Sequence, residues 1–138
     1  MKKVGVRLAL TGVILGLSVT SQVQADPAVE LVNICTIIKK DDKSELRKKL
    51  KRIKNEYKLR LGDYYSDIRC GGDSMIRFAM SNDAAMTGGY LISQMRKSEL
   101  RTAEQDGKTV MQWAEETGYI ESSVGEALLS RISKRATL

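Results

Sequence analysis

A single pair of cysteines constrains the fold of this chain more than any other feature of its sequence. Cys35 and Cys70 are the only cysteines among 138 residues. An even pair of cysteines usually forms a structural disulfide when the chain is sent to an oxidising compartment, which the N-terminal segment described next indicates, so we predict a bond between them. On the chain-entropy model, the bond closes a loop of about 35 residues and stabilises the fold by about 4 kcal/mol. The alternative is a redox-active thiol pair, which more often shows a Cys-x-x-Cys spacing.

The N-terminal segment has the pattern of an export signal. Lys2, Lys3 and Arg7 precede an apolar run over residues 8–19, and the segment ends with a small residue at Ala25. This pattern predicts a cleaved signal peptide over residues 1–25 and a protein that is periplasmic or secreted. A membrane anchor needs a longer helix, because about twelve residues rise only about 18 Å. We therefore expect no stable transmembrane anchor.

Residues 26–138 have the composition expected of a single folded domain. The whole chain is 42% hydrophobic and 29% charged and contains one proline, a composition that excludes a disordered or low-complexity protein. The chain contains no histidine, which removes the commonest general base, the histidine-dependent triads and imidazole metal sites. We therefore predict a protein without catalytic activity, cofactor or metal.

Capping residues and apolar periodicity predict an all-α domain. Asp26 and Pro27 begin a first helix that runs to Ile38, and Asp42 with Glu45 forms a capping box that begins a second helix. The second helix is strongly amphipathic, with charged residues on every side except one apolar stripe. That stripe consists of Leu46, Leu50, Ile53 and Tyr57.

The rest of the chain is predicted to continue as helices separated by turns. Gly62-Asp63 is interpreted as a break with a new helix cap, and Gly71-Gly72 as a turn. Gly88-Gly89 lies inside a helix and indicates close packing there. A loop or irregular hairpin is expected over residues 96–108. Further helices are expected to begin at Asp73 or Ser74, at Asp83, at Thr109 and at Ser123. The core is expected to include Met75, Met80, Met86, Met95, Met111 and Trp113.

Basic residues are concentrated on the second helix. Lys and Arg outnumber Asp and Glu between residues 39 and 60, although the rest of the chain after the signal is net acidic. Such a face attracts anionic lipid, polysaccharide or an acidic protein, and the alternative interpretation is a solvated helix surface. Nucleic acid is disfavoured because few aromatic residues lie among the basic ones. The predicted binding face consists of Arg47, Lys48, Lys49, Lys51, Arg52, Lys54 and Lys58.

Two segments about 35 residues apart have a similar pattern. Ser74–Ala79 and Thr109–Ala114 align with each other, and each is followed by a helix containing a pair of large aliphatic residues. These segments resemble the first helix of the ankyrin repeat, and Gly118 occupies the position of its inter-helix glycine. The resemblance implies stacked antiparallel helix hairpins and protein binding. A more distant third copy spans residues 31–53, and a small helical bundle is the alternative architecture.

The chain after the signal also resembles an uncharacterised family of small exported proteins of Gram-negative bacteria. The features that carry this resemblance are the paired cysteines, the basic helix and Cys70-Gly71-Gly72 followed by an apolar helix. The resemblance implies no activity. Our leading hypothesis is a periplasmic protein that binds another envelope or secreted protein through its helix hairpins, using the 96–106 loop or the basic face. The alternative is an envelope-associated binder of anionic lipid or polysaccharide through the basic helix 43–60.

Overall fold

The computed structural model describes residues 26–133 and five separate positions before them, which are Gly12, Val13, Leu15, Gly16 and Ser18. The rest of the predicted signal peptide and residues 134–138 lie outside the described part. Residues 26–133 are all-α, as predicted, and contain no β-strand beyond one bridge between Cys70 and Asp73. The helices are α1 (Pro27–Glu30), α2 (Ile34–Lys39), α3 (Lys43–Tyr57), α4 (Leu61–Tyr64), α5 (Met75–Ser81), α6 (Ala85–Gln94), α7 (Lys97–Leu100), α8 (Val110–Thr117) and α9 (Ser123–Ser133), with 3₁₀ turns at Tyr65–Asp67 and Tyr119–Glu121.

The first predicted helix is two short helices. Asp26 caps α1 as predicted, because its carboxylate accepts a hydrogen bond from Ala28 N at 2.9 Å. The continuous helix to Ile38 is wrong, because Asn33 has a φ of 70° in the left-handed region. Asparagine adopts this region more readily than most residues, and a residue there ends one helix and redirects the chain into the next.

Helix α3 confirms Asp42 as the cap and confirms the apolar stripe, but the second half of the predicted capping box is not formed. Asp42 N donates to the backbone oxygen of Ile37, and the Glu45 carboxylate pairs with Lys48. Asp42 accepts a hydrogen bond from Glu45 N at 3.0 Å, and Leu46, Leu50 and Ile53 are buried. The helix ends at Tyr57, because Lys58 has a φ of 58°. The basic helix is therefore shorter than the predicted range 43–60.

The break after α3 falls earlier than predicted. The next helix, α4, contains Gly62 and Asp63, so these residues do not form the predicted break and cap. Asp63 lies in the first turn, where its carboxylate accepts a hydrogen bond from Arg60 N at 2.6 Å. A carboxylate in the first helical turn satisfies a free backbone donor and interacts favourably with the helix dipole.

The predicted disulfide between Cys35 and Cys70 is confirmed. The two Cα atoms are 5.5 Å apart and the sulfurs are bonded. The bond joins α2 to the turn before α5, and that turn has positive φ values at Gly71 and Gly72, as expected for glycine. Cys70 is 1% exposed, so the bond lies at the edge of the core.

Helices α5 and α6 form one hairpin and α8 and α9 form a second. Helix α6 packs against both α5 and α9, and α5 also contacts α8. Most caps of the second hairpin are as predicted: Thr109 accepts a hydrogen bond from Gln112 N at 3.1 Å, and Gly118 ends α8 with a φ of 82°. The last cap is shifted by one residue, since the Ser122 hydroxyl accepts from Gly125 N at 3.0 Å.

The start of α6 depends on a residue distant in sequence. The predicted cap, Asp83, has a φ of 52° and lies before the helix. Asp41, in the connection between α2 and α3, caps α6 in its place: its carboxylate accepts hydrogen bonds from Thr87 N at 2.7 Å and Met86 N at 3.2 Å. Met86 is 59% exposed on this first turn, so its predicted place in the core is wrong. Met75, Met80 and Met95 are buried, and Met111 is partly buried.

The predicted close packing at Gly88-Gly89 occurs at one of the two glycines. A Cβ at Gly88 would lie 2.6 Å from Val124 Cγ2 and 3.1 Å from Ala79 Cβ, whereas a Cβ at Gly89 would have no neighbour within 4 Å. Gly88 therefore permits α6 to approach α5 and α9 closely. No helix in the described part of the chain is long and apolar enough to cross a membrane.

This difference between adjacent glycines gives a stability prediction. Gly88→Ala is expected to lower the free energy of unfolding by about 1–3 kcal/mol through overpacking. Gly89→Ala is the matched control, and we expect it to raise stability by as much as about 1 kcal/mol, because alanine favours a helix over glycine. Urea denaturation measures both values, and equal effects of the two substitutions would contradict the packing shown here.

Candidate functional site

The predicted basic face divides into two edges of α3. Along one edge the cations already have partners within the chain. Lys48 pairs with Glu45 at 2.9 Å, Lys49 donates a hydrogen bond to the backbone oxygen of Glu30 at 2.8 Å, and Arg52 pairs with the Glu30 carboxylate at 3.0 Å. These interactions attach α3 to α1 and reduce the positive charge available to a ligand.

The other edge carries cations without internal partners. Arg47, Lys51 and Lys54 are exposed and make no hydrogen bond or ion pair with the described part of the chain. Their spacing of four and three residues places them in one row along the helix. Lys58, the last residue of the predicted face, donates to the backbone oxygen of Asn55 at 2.7 Å and so closes the end of α3.

This free edge borders a groove of about 320 Å³ between α3, α4 and α6. Leu50 and Leu61 are buried beneath it, and Tyr90 and Gln94 of α6 form its opposite wall. None of the residues that line the groove is acidic. The cationic lining residues are Arg47, Lys51, Lys54 and Arg60.

The pKa of the Tyr90 hydroxyl depends on its burial in the groove wall and on the charge of Arg47. Partial burial raises the pKa of the Tyr90 hydroxyl, and the positive charge of Arg47 opposes this shift. The phenol therefore stays protonated at neutral pH and can donate a hydrogen bond to an anionic ligand. Several cations beside a partly buried wall favour an anion more strongly than the same cations spread over open solvent.

One carboxylate contacts a cation of the groove from a neighbouring cavity, which is lined by Gly62 and Glu99 among others. Glu99 Oε1 lies 3.6 Å from Arg60 Nη1, while Glu99 Oε2 accepts a hydrogen bond from Arg96 N at 2.7 Å. Gly62 makes room for this carboxylate, because a Cβ at Gly62 would overlap it. The periodicity of the sequence does not indicate Glu99, because the residue lies in the segment predicted as a loop.

The second predicted interaction surface, residues 96–106, is not a continuous loop as predicted, because Lys97–Leu100 form helix α7. The segment after α7 is held by a buried arginine that the sequence did not indicate. Arg77 of α5 is 6% exposed. It pairs with Glu104 at 2.6 Å and Asp106 at 2.7 Å, and it donates to the backbone oxygen of Lys108 at 3.0 Å. Its guanidinium also lies 5.2 Å from the ring centroid of Trp113. These contacts fasten the loop to α5 and account for the partial burial of Trp113.

Hydrogen bonds from this cluster shift the ionisation of its members. The Arg77 guanidinium and the Lys108 backbone N–H donate to Asp106, and they hold the pKa of that carboxyl well below its usual range. Tyr65 donates to Glu104 at 3.2 Å, and burial raises the pKa of the Tyr65 hydroxyl. Asp106 therefore keeps its negative charge at neutral pH.

The groove presents hydrogen-bond donors and positive charge. No group of three His, Cys, Asp or Glu side chains within the described residues is placed to hold a metal ion. What the groove offers is Arg and Lys donors, a phenol and an amide, which together suit phosphate or carboxylate oxygens.

The fold and the groove define a small, disulfide-bonded, all-α domain with a cationic surface groove. Residues 34–102, half of the 138-residue chain, match the family described as Protein of unknown function (DUF3718). The chain belongs to this family, which confirms the predicted membership of an uncharacterised family. The matched region contains both cysteines, every residue that lines the groove, and Glu99. No match is found among curated proteins, and none among solved structures.

Proposed function

We propose that this chain is an exported, non-catalytic binding protein whose groove holds anionic groups of envelope lipid or polysaccharide. The observation that carries the proposal is the row of Arg47, Lys51 and Lys54, whose charges no acidic side chain of the described chain neutralises. Unneutralised like charges repel one another, so an external anion lowers the electrostatic energy of this edge. The apolar run and Ala25 of the N-terminal segment, together with the disulfide, support export.

The groove favours this proposal over contact through helix charge alone. A flat basic helix binds weakly and in any orientation, whereas a groove with donors on two walls holds an anionic group in one position. Tyr90 and Gln94 supply uncharged donors opposite the cations. The phosphate or carboxylate oxygens of an anionic group can therefore be held from both sides.

The test is binding of the purified protein to two probes at low and high salt. The first is vesicles of phosphatidylcholine with or without phosphatidylglycerol, and the second is alginate, a soluble polyanion. We expect binding to at least one anionic probe that weakens steeply as salt increases. Because a cation near an anionic surface contributes about 1 kcal/mol, the triple variant Arg47→Gln, Lys51→Gln, Lys54→Gln should bind on the order of a hundredfold more weakly.

The matched control removes the same charge from the other edge of α3. Lys48→Gln, Lys49→Gln and Arg52→Gln together change cations that already have partners within the chain. We expect this variant to lose much less affinity than the groove variant. Equal losses would show that only the total charge of the helix matters, and no binding of the wild-type protein to either probe would refute the proposal.

A second candidate is the binding of another envelope or secreted protein through helix hairpins stacked in ankyrin-like fashion. Two observations favour it: α6 packs between α5 and α9, and the 101–108 segment is fixed by Arg77. A fixed loop loses little conformational entropy when it binds. A protein complex of this kind is expected to survive high salt and to be unaffected by the groove variant, which separates it from the first proposal.

A further inference from the structure

Glu99 is the one acidic side chain of the described residues that forms an ion pair with a cation of the groove. We propose that Glu99 is an internal counter-anion that competes with the ligand for Arg60 and thereby sets the affinity of the groove. This inference rests on the proposed function, because it concerns the same anion-binding groove. It assigns to Glu99 a regulatory role that is separate from its role as a helix cap.

The two carboxylate oxygens of Glu99 have different partners: one caps α7 and the other lies near Arg60. Glu99 Oε2 accepts from Arg96 N at 2.7 Å, which is a short hydrogen bond that caps α7. Glu99 Oε1 is 3.6 Å from Arg60 Nη1, which is beyond hydrogen-bond distance. The contact with Arg60 is therefore the looser of the two, and a ligand oxygen that forms a true hydrogen bond with Arg60 can replace it while the cap remains.

The side chains involved are accessible enough for this exchange. The Arg60 side chain is 34% exposed and the Glu99 side chain is 24% exposed. Gly62 leaves space for the carboxylate, since a Cβ there would overlap Glu99 in its present position. The absence of a side chain at position 62 thus allows the internal counter-anion to lie beside Arg60.

The charge of Glu99 acts on a bound ligand in proportion to the charge of that ligand. A phosphate monoester carries between about 1.5 and 2 negative charges at neutral pH, whereas a carboxylate carries one. Removing the charge of Glu99 should therefore strengthen the binding of a phosphate more than that of a carboxylate. A residue that only held the fold in place would change both affinities equally.

The experiment uses Glu99→Gln and two probes of similar size, glucose 1-phosphate and glucuronate, titrated at pH 7.5 and followed by NMR. Glutamine keeps an oxygen that accepts from Arg96 N, so the cap of α7 is retained. We expect about a three- to tenfold gain in affinity for glucose 1-phosphate and a smaller gain for glucuronate. Glu45→Gln is the control, because Glu45 pairs with Lys48 on the other edge of α3, and it should give a much smaller gain.

A second variant tests the same idea without changing charge. Gly62→Ala adds a Cβ that overlaps both oxygens of the Glu99 carboxylate, so the carboxylate must leave its present position beside Arg60, and we expect a gain in affinity of the same sign. An unchanged or lower affinity of Glu99→Gln for glucose 1-phosphate would overturn the role of Glu99 while leaving the groove intact. Absence of binding by both the wild-type protein and Glu99→Gln would overturn the proposed function as well.

Discussion

Arg77→Met is expected to lower the free energy of unfolding by about 3–5 kcal/mol, because removing one partner of a buried ion pair leaves the other charge uncompensated. The substitution keeps the apolar stem but leaves Glu104, whose side chain is 11% exposed, without its cation. Asp106 and the Lys108 carbonyl also lose the hydrogen bonds that Arg77 donates to them. Urea denaturation followed by circular dichroism measures the change, and the 101–108 segment should become sensitive to proteolysis.

A control for this prediction lies in the same loop. Lys108 pairs with Glu116, and both side chains are about half exposed, at 46% and 54%. Lys108→Met removes that pair but keeps the carbonyl that accepts from Arg77, and we expect little change in stability because exposed ion pairs contribute little. A loss as large as that of Arg77→Met would show that any charge change in the loop destabilises the protein and would refute the role given to Arg77.

The direction of the Asp106 shift sets the pH range in which the cluster is stable. Because the folded-state pKa of Asp106 is below the ordinary value of 3.8, its ion pair contributes stability that is fully present above that ordinary value. The contribution is lost only as the pH falls toward the lower, folded-state pKa. The loop is therefore expected to stay attached to α5 throughout the neutral and mildly acidic range.

Features set by neighbouring residues could be predicted from the sequence. The caps at Asp26, Asp42 and Thr109 involve a side chain and a backbone N–H two or three residues away. Gly118 ends α8 because glycine adopts a positive φ without strain. The disulfide was also predictable, because the chain contains only one possible pair.

Features set by tertiary contacts could not be predicted in the same way. Asp41 caps α6 by accepting a hydrogen bond from Thr87 N, a residue 46 positions later in the sequence. No local pattern of the sequence indicates this contact. Arg77 looks like an ordinary surface residue of an amphipathic helix until the 101–108 segment folds over it. The apolar run around Asn33 favours one continuous helix, but the chain breaks at this residue. We attribute the break to the packing of α1 against α3, a tertiary contact that the periodicity of the run does not reflect.

At the candidate site, too, the sequence predicted the residues of one helix but not their tertiary contacts. The sequence predicted one basic face of seven residues, because all seven lie on or next to a single helix. Glu30, which lies in α1, contacts Lys49 and Arg52 of α3. Tyr90, which lies in α6, lines the groove together with Arg47. Glu45 and Asn55 of α3 itself provide the partners of Lys48 and Lys58, whereas the partners of Lys49 and Arg52 come from the helix packed against α3.

Removal of the disulfide is expected to destabilise the protein about as much as Arg77→Met, but through the unfolded chain and not through a lost contact in the folded one. Cys35→Ser combined with Cys70→Ala should lower the free energy of unfolding by about 4 kcal/mol, because the unfolded chain regains the conformations that the closed loop excludes. Alanine is chosen at position 70 because that residue is 1% exposed, where a serine hydroxyl would need a buried partner.

Urea denaturation of the wild-type protein with and without a reductant separates the bond from the side chains. Reduced wild-type protein should lose about as much stability as the double variant, and the reductant should not affect the double variant. Since small domains have a total stability of only about 5–15 kcal/mol, a loss of this size leaves α1 and α2 weakly attached to the rest of the fold. Unchanged stability after reduction would mean that the contacts of α2 with α3 and α5 hold the N-terminal helices without the bond.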